Sequence, residues 1–480
     1  MSGDRDLPDI IRLEDVASEW SQFRHKIIAR LASNTYSLAP VDIVDLPKDA
    51  LNVRPIVRLG VEDRLIYDAC VLSMTPTIDL AIPGNVYSYR WSTYKQALYS
   101  PKSRWIRMQR RGRRFSKRNN ELLLLRTDIT SFYEYVDIDM LMSDLRVMGL
   151  AEWALNLLEL FLNEFNSSAH AWGLPQGPDS SGILSNVYLL PIDKIIQRNN
   201  LTHLRYSDDI MVFGPTWLEL RKTLLQINHA FRSRHLCLAA SKTEIIPADK
   251  VAAEFEDTSK DAVRYNIDIA SPLAQDELHA YFDVTVGNSP ISLRDLRFAL
   301  NQLKRISDDY AVTWLLSQID RFPNVARDAI LYLSVFSSRR PEIDTELTSM
   351  LADRSFEFYP SVERQIMNYL VLKSVYAQKA VDACWEILED TNKGIVRDFA
   401  ARYLGKFCDR GDGSRLRELF EREGSEEVRR ALLIAYFESG ECPSSLLRSL
   451  SHSNSRVGIA ARYLLLGPTN IPCPSLEVKW

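Results

Sequence analysis

The sequence predicts an α+β unit over about residues 51–250, followed by an all-α region of helical repeats over 290–480. Between Arg54 and Pro247 short strand-like apolar runs alternate with longer helical ones, the signature of an α+β domain. From about residue 290 the strand signal fades and helical periodicity takes over. Apolar helical faces then begin at Val325, Val362, Ile395, Val428 and Val457, at intervals of 37, 33, 33 and 29 residues.

Intervals of this size, with shorter helical pieces between them such as residues 414–423, predict an α-solenoid. In such an array no unit covers its own apolar face, and each stacks on the next. Ahead of the α+β unit, residues 1–50 read as a helical lead-in with an amphipathic stretch over 14–31. Residues 251–289 are less periodic and carry turn signals at Asp257-Thr258-Ser259 and Gly287-Asn288. They read as a junction with small elements of its own.

The 480 residues predict two to four domains at roughly 100–200 residues each. A net charge of -4 announces no polyanion partner, so any nucleic-acid surface has to be a local patch. The six cysteines are scattered, without a C-x-x-C pair, which argues against a disulfide framework and against zinc. The polar, acidic N-terminus has no apolar signal core. No apolar run approaches the roughly 20 residues of a spanning helix. The expectation is a cytoplasmic protein with no membrane partner.

Three segments carry the chemistry. In ELLLLRTDITSFYEY, from Glu121, four leucines read as a buried strand ending at Asp128. Stiff backbone there suits a metal ligand, because small misplacements are costly in catalysis; taken alone, a strand-ending Asp more often caps a following helix. In THLRYSDDIMVFG, from Thr202, two apolar strands flank Ser207, Asp208 and Asp209 as a tight hairpin. Adjacent carboxylates repel, and a divalent cation turns that repulsion into binding; Mg²⁺ takes few protein carboxylates and leaves positions for phosphate. A solvated acidic turn is the plainer alternative. Between them, GLPQGPDSSGILSNVY, from Gly173, reads as an irregular loop leading into an apolar helix. Its glycines allow close backbone approach, and Gln176 offers both donor and acceptor.

Asp128 with an aromatic five residues later, Leu174-Pro175-Gln176-Gly177 with Ser181, Leu184 and Asn186 downstream, and Tyr206-Ser207-Asp208-Asp209 occur in this order. Together they resemble the reverse-transcriptase family. Arg54-Pro55-Ile56 and Asp63-Arg64 resemble its first fingers motif, and Lys242-Thr243 its later palm lysine. The resemblance covers about residues 50–250 and implies right-hand fingers and palm with Mg²⁺ as cofactor. It implies that Asp128 and Asp208 bridge two metal ions with Asp209 assisting, and that the Ile129 carbonyl completes one coordination sphere. It places Tyr133 under the sugar, Gln176 near the nucleotide or template, Arg54 on the triphosphate and Lys242 near the leaving pyrophosphate. The implied partners are an RNA template, dNTPs and a DNA product.

Arg104, Arg107, Arg110, Arg111, Arg113, Arg114, Lys117 and Arg118 fall within fifteen residues that hold no acidic side chain, with Trp105 and Phe115 interleaved. Arginine with aromatics suits phosphate pairing and base stacking, so an RNA contact is expected here; a solvated face is the bland reading. No ribonuclease H, endonuclease or maturase-like segment follows, and the helical repeats, HEAT-like in period, stand where a thumb is expected. That arrangement resembles bacterial abortive-infection and defence-associated reverse transcriptases. Among those, some copy a partner non-coding RNA, some extend DNA without a template or from a protein side chain, and several form homo-oligomers. The leading expectation is an RNA-directed DNA polymerase in antiphage defence. The alternatives are untemplated or protein-primed synthesis, and a catalytically idle scaffold.

Overall fold

A computed structural model describes residues 7–49, 51–168, 170–409 and 411–476. They divide into two compact units: one of Tyr36–Ile43 and Ile56–Thr258, the other of residues 7–35, Val44–Pro55 and 259–476. The strands are β1 Asp42–Pro47, β2 Val53–Arg58, β3 Trp91–Ser92, β4 Ala97–Leu98, β5 Leu123–Thr127, β6 Thr202–Tyr206, β7 Asp209–Gly214 and β8 Glu244–Ile246.

The first unit is built on a four-stranded antiparallel sheet in the order β6-β7-β5-β8. The leucine run forms its interior strand, with Leu124 opposite Phe213 on one side and Ile246 on the other. Leu124, Leu204, Met211, Phe213 and Ile246 form one cluster with Met108, Val251 and Phe255. Each apolar side chain fully buried this way contributes about 1.5–3 kcal/mol. Met108 belongs to the helix Pro101–Arg118, which the sequence marked as strongly basic; its buried residues Arg104, Met108, Gly112 and Ser116 form one stripe at four-residue spacing. Gly112 is there for contact: a Cβ would fall 2.2 Å from the Phe255 ring. The helix Asp179–Tyr188 is buried from Ser180 onward and packs against Val61–Ala81 and Ile138–Val147.

The second unit is helical. Pro360–Lys373, Val396–Phe407, Glu426–Glu438 and Arg456–Leu465 pack in succession, each on the next. The helices Arg340–Ala352, Gln378–Glu389, Gly413–Arg422 and Ser444–Ser451 alternate with them, each packing on the helix that follows. The first set begins close to the recurring apolar faces of the sequence.

One local reading comes out differently. The amphipathic stretch over 14–31 is not one helix but two, Glu14–Ser18 and Trp20–Ala32, parted at Glu19, whose carboxylate is drawn to Arg462 at 3.0 Å. Residues 251–289 are mostly helical, in Ala248–Glu254, Thr258–Asp268 and Ala274–Gly287. The turn signals there mark helix ends. None of the described helices is long and apolar enough to cross a membrane.

Candidate active site

Pairing of Tyr206 with Asp209 closes β6 and β7 through a two-residue turn, Ser207-Asp208. Thr127 lies opposite Ile210, so continuing that register by one residue sets Asp128 opposite Asp209. The three carboxylates therefore meet at one end of the sheet: Asp128 where β5 stops, Asp208 in the turn and Asp209 at the start of β7.

Ser207 takes a left-handed φ of 58°, a conformation that costs a non-glycine residue about 1–2 kcal/mol. Fixed partners hold it. Its N–H donates to Ser88 Oγ at 2.8 Å, and its carbonyl accepts from Arg205 Nη1 at 3.1 Å. Arg205 is fully buried and tied to Asp193 by bonds of 3.0 and 2.7 Å and to Asn186 at 2.9 Å. Leaving one partner of such a buried pair alone costs about 3–5 kcal/mol, so the turn rests on a post that does not move cheaply.

On the other side of β5, the segment after Asp128 runs antiparallel to Leu238. The Asp128 carbonyl accepts from Ala239 N–H at 2.9 Å, and Thr130 N–H donates to Cys237 O at 3.0 Å. These bonds leave the Ile129 carbonyl unused by the ladder. Lys242 lies just beyond, and its ammonium bonds Asp128 Oδ2, while Thr127 and Thr243 hydroxyls meet at 2.8 Å.

Asp128 is 4% exposed, and its Oδ1 is buried without a hydrogen-bond partner. Burial, then the charge of Asp128, pushes the Asp208 carboxyl up to about 7. Asp209 is raised by the same two causes, against Lys242 and Arg126. The hydrogen bond to Asp128 raises Lys242 in turn. This is charge frustration: three carboxylates share a half-buried corner, with one flexible ammonium to neutralise them. A divalent cation fits that corner chemically, since the donors are all oxygen, one carboxylate oxygen is unpartnered and one main-chain carbonyl is spare. No ready-made group of three or more His, Cys, Asp or Glu ligands exists among the described residues; an ion would take over the counter-charge role that Lys242 fills.

Tyr133, half-buried, has its hydroxyl in a cluster with those of Tyr89, Ser185 and Ser207. Its carbonyl accepts from Leu174 N–H at 2.9 Å, and Gly173, at φ +69°, lies so close that a Cβ would meet that oxygen at 2.2 Å. The loop bearing Gln176 is thus pinned beside Tyr133. Gln176 is half-buried and its carbonyl accepts from Val57 N–H at 2.8 Å. Arg54 is exposed on β2, in the part of the strand that belongs to the helical unit.

The basic helix is not uniformly free. Arg104 is buried, donates to Tyr87 O at 3.1 Å and stacks on the Tyr87 and Tyr99 rings. Arg113 and Lys117 pair with Glu256 at 3.5 and 2.8 Å. Arg107, Arg110, Arg111, Arg114 and Arg118 are exposed, as is Lys117. Trp105 meets Tyr206 edge-on, and Phe115 meets Phe213, so both aromatics are engaged in the packing against the sheet.

A sheet end with carboxylates on a strand terminus and a hairpin suits nucleotidyl transfer. Residues 46–265 match the family model described as Reverse transcriptase (RNA-dependent DNA polymerase). Residues 46–265 are thus similar to a reverse-transcriptase domain, a likeness that supports nucleotidyltransferase activity of that type; that family generally uses divalent ions such as Mg²⁺ and takes a nucleic-acid template and dNTPs. No curated protein matches the chain.

Sequence reasoning missed the residues that hold the turn, Ser88, Arg205 and Asp193, and the hydroxyls of Tyr89 and Ser185 beside Tyr133. Arg205 lies one residue before Tyr206 and reads as an ordinary strand residue. Only its placement on the face opposite the apolar cluster leads to Asp193.

Proposed function

We propose that this chain is an RNA-directed DNA polymerase whose two-metal centre is formed by Asp128, Asp208 and Asp209, with the Ile129 carbonyl as a further ligand. The observation that carries this reading is the convergence of the three carboxylates, with Asp208 pushed up to about 7 by burial and by Asp128. Bound Mg²⁺ would supply charge for the attacking and leaving oxygens of phosphoryl transfer. In the reaction the primer 3′-hydroxyl attacks the α-phosphorus of a dNTP, the bond to the bridging oxygen breaks, and pyrophosphate leaves with that electron pair. Lys242 faces this corner from the Asp128 side and would offset charge on the departing pyrophosphate. Arg54 would contact the triphosphate, and Gln176 the nucleotide or template. Tyr133 would lie under the sugar and obstruct a 2′-hydroxyl.

RNA would be held by the exposed arginines of the helix Pro101–Arg118, leaving Arg104 to packing. The helical unit, read as HEAT-like repeats, would serve in place of a thumb or support a homo-oligomer. The resemblance to defence-associated reverse transcriptases supports a cytoplasmic antiphage role and a template that is a dedicated non-coding RNA. The test is to purify the protein with its bound nucleic acid, add Mg²⁺ and dNTPs, and sequence the product. A cDNA of the co-purified RNA is expected. A homopolymer or random DNA, or DNA linked to a protein side chain, would replace templated synthesis with the untemplated or protein-primed alternative. No product from wild type would overturn the enzyme reading.

A further inference from the structure

Residues 174–181 are tied to the helix Val61–Ala81 by paired hydroxyl contacts. Tyr67 is fully buried, its ring stacked on Phe161 with centroids 4.7 Å apart, and its hydroxyl lies 2.9 Å from Ser181 Oγ. Ser181 is buried as well, and the same Oγ lies 2.5 Å from the Pro175 carbonyl. A carbonyl oxygen only accepts, so Ser181 spends its single proton on Pro175 and accepts from Tyr67. The order of donation is thus fixed: Tyr67 to Ser181, Ser181 to Pro175. Beside this relay Ser180 Oγ donates to Asp68 Oδ1 at 2.6 Å, and Arg64 Nε donates to Asp68 Oδ2 at 2.8 Å. Neighbouring residues of one helix therefore hold neighbouring serines of the other.

What these contacts fix is the backbone at Gln176. The Pro175 carbonyl belongs to the peptide plane before Gln176. The Gln176 carbonyl, which accepts from Val57 N–H at 2.8 Å, belongs to the plane after it. Peptide units are planar, so two anchored planes set φ and ψ between them, and with these the direction in which the Gln176 side chain leaves the chain. A binding side chain is only as well aimed as the groups behind it. The Tyr67 hydroxyl calls for a reason of its own. A phenylalanine would stack on Phe161 without burying a polar group, and such burial is costly unless the group is bonded. Among the described residues this hydroxyl has one partner, Ser181, so what it adds is the orientation of that serine.

We propose that Tyr67 is a positioning residue that, through Ser181 and the Pro175 carbonyl, aims the Gln176 side chain and so contributes to selection of the matched dNTP. The inference rests on the reading of Gln176 as a contact of the nucleotide or template. Tyr67 itself touches no substrate in this scheme.

The experiment is single-nucleotide extension by the full chain on a DNA-primed RNA template, giving kcat and KM for the matched and a mismatched dNTP. Tyr67→Phe keeps the stacked ring and leaves Ser181 bonded to Pro175, removing only the hydroxyl that orients it. It is expected to lower the preference for the matched dNTP by about two- to tenfold, the range of one lost neutral hydrogen bond, chiefly through a higher KM for that nucleotide. Ser181→Ala cuts both bonds of the relay and should match or exceed that loss. In a Gln176→Ala background, where no side chain is left to aim, Tyr67→Phe should have no further effect on the preference; a merely structural tyrosine would cost the same in both backgrounds. Gln176→Ala alone separates the two levels. If it leaves the preference unchanged, the reading of Gln176 fails and this inference with it. If it lowers the preference while Tyr67→Phe and Ser181→Ala do not, or if the Tyr67 and Gln176 changes add fully, the positioning role is overturned and the reading of Gln176 stands.

Discussion

Arg430 and Asp15, 415 positions apart in sequence, form a fully buried ion pair, with Nε 2.7 Å from Oδ2 and Nη2 3.0 Å from Oδ1. Asp9 adds a bond of 2.7 Å to Nη1 of the same guanidinium. Around this pair the N-terminal segment follows the long helices of its unit. The Pro8 carbonyl accepts from Arg364 at 2.7 Å, Asp15 lies 3.4 Å from Arg456, and Glu19 lies 3.0 Å from Arg462. Ile10 and Ile11 are part of the same hydrophobic core. At the other end of the chain, the Ile471 carbonyl accepts from Arg402 at 2.8 Å and the Pro474 carbonyl from Asn368 at 2.9 Å. Arginines on successive helices, costly to bury alone, are met by acidic and carbonyl groups from both terminal segments.

Asp15→Ala should therefore destabilise the helical unit by up to about 3–5 kcal/mol, the cost of removing one partner of a buried ion pair, with Asp9 left to hold part of the Arg430 charge. Denaturant unfolding followed by circular dichroism measures it. A change below 1 kcal/mol, on the order expected of an exposed pair, would mean the segment is dispensable.

The same strap should resist moderate acid. Burial opposes ionisation of Asp9, but Arg430 and then Arg456 outweigh it and hold the carboxyl well below the usual range. A depressed carboxyl contributes stability above its unfolded value of about 4 and loses it as pH falls through the folded value. Hydrogen exchange of residues 7–19 should stay slow at pH 5 and rise only in the strongly acidic range. Loss of protection already at pH 5 would contradict the assignment.

Asp208 works in the opposite sense. Its folded value of about 7 lies above the unfolded value of about 4. As pH rises between these values the unfolded chain releases its proton first, so metal-free stability declines over that window and levels off above pH 7. Asp208→Asn should raise the melting temperature in chelator at pH 8 and leave it nearly unchanged at pH 4. Because a cation would have to displace that proton, Mg²⁺ affinity should increase from pH 6 to pH 8, with proton release measurable by calorimetry in buffers of different ionisation enthalpy. Affinity flat across that range would count against the proposed site.

Asp208→Ala and Asp209→Ala should each reduce nucleotide incorporation to the no-enzyme level while the far-ultraviolet spectrum is retained. Asp208 lies in the half-buried turn and Asp209 at the start of β7, where little packing is lost. Full incorporation by the double variant would refute the two-metal assignment.

What the sequence made legible was local. A run of four leucines calls for burial, and its last three residues open β5, with Leu124 and Leu125 fully buried; Tyr206 to Asp209 between two apolar runs calls for a tight hairpin. The glycines of the loop before Asp179 announced close approach, and Gly173 does press on the Tyr133 backbone. What stayed hidden was tertiary. Nothing near Asp15 points to Arg430, because that partner is chosen by the stacking of helices whose apolar pattern is all the sequence displays. Arg364, Arg402 and Arg430 read as solvent-facing helix positions, yet they are buried because the two terminal segments cover them. Arg104 looked like the first member of a basic surface; spacing of four from Met108 places it instead on the buried stripe.

That stripe refines which arginines of the helix Pro101–Arg118 are free to meet a polyanion. Arg107, Arg110, Arg111 and Arg114 are exposed, whereas Arg113 pairs with Glu256 and Arg104 packs on Tyr87. Replacing these four by alanine should weaken RNA binding and make the plot of log K against log salt shallower by up to about four units, roughly one per phosphate contact. Melting temperature should change little, since none of the four is buried. Arg104→Ala should do the reverse, lowering stability through lost stacking and a stranded Tyr87 carbonyl, with the salt slope intact. Fluorescence anisotropy with a labelled RNA over a salt series separates the two. If the quadruple variant keeps both affinity and slope, this helix face is merely solvated and the RNA path runs elsewhere on the protein.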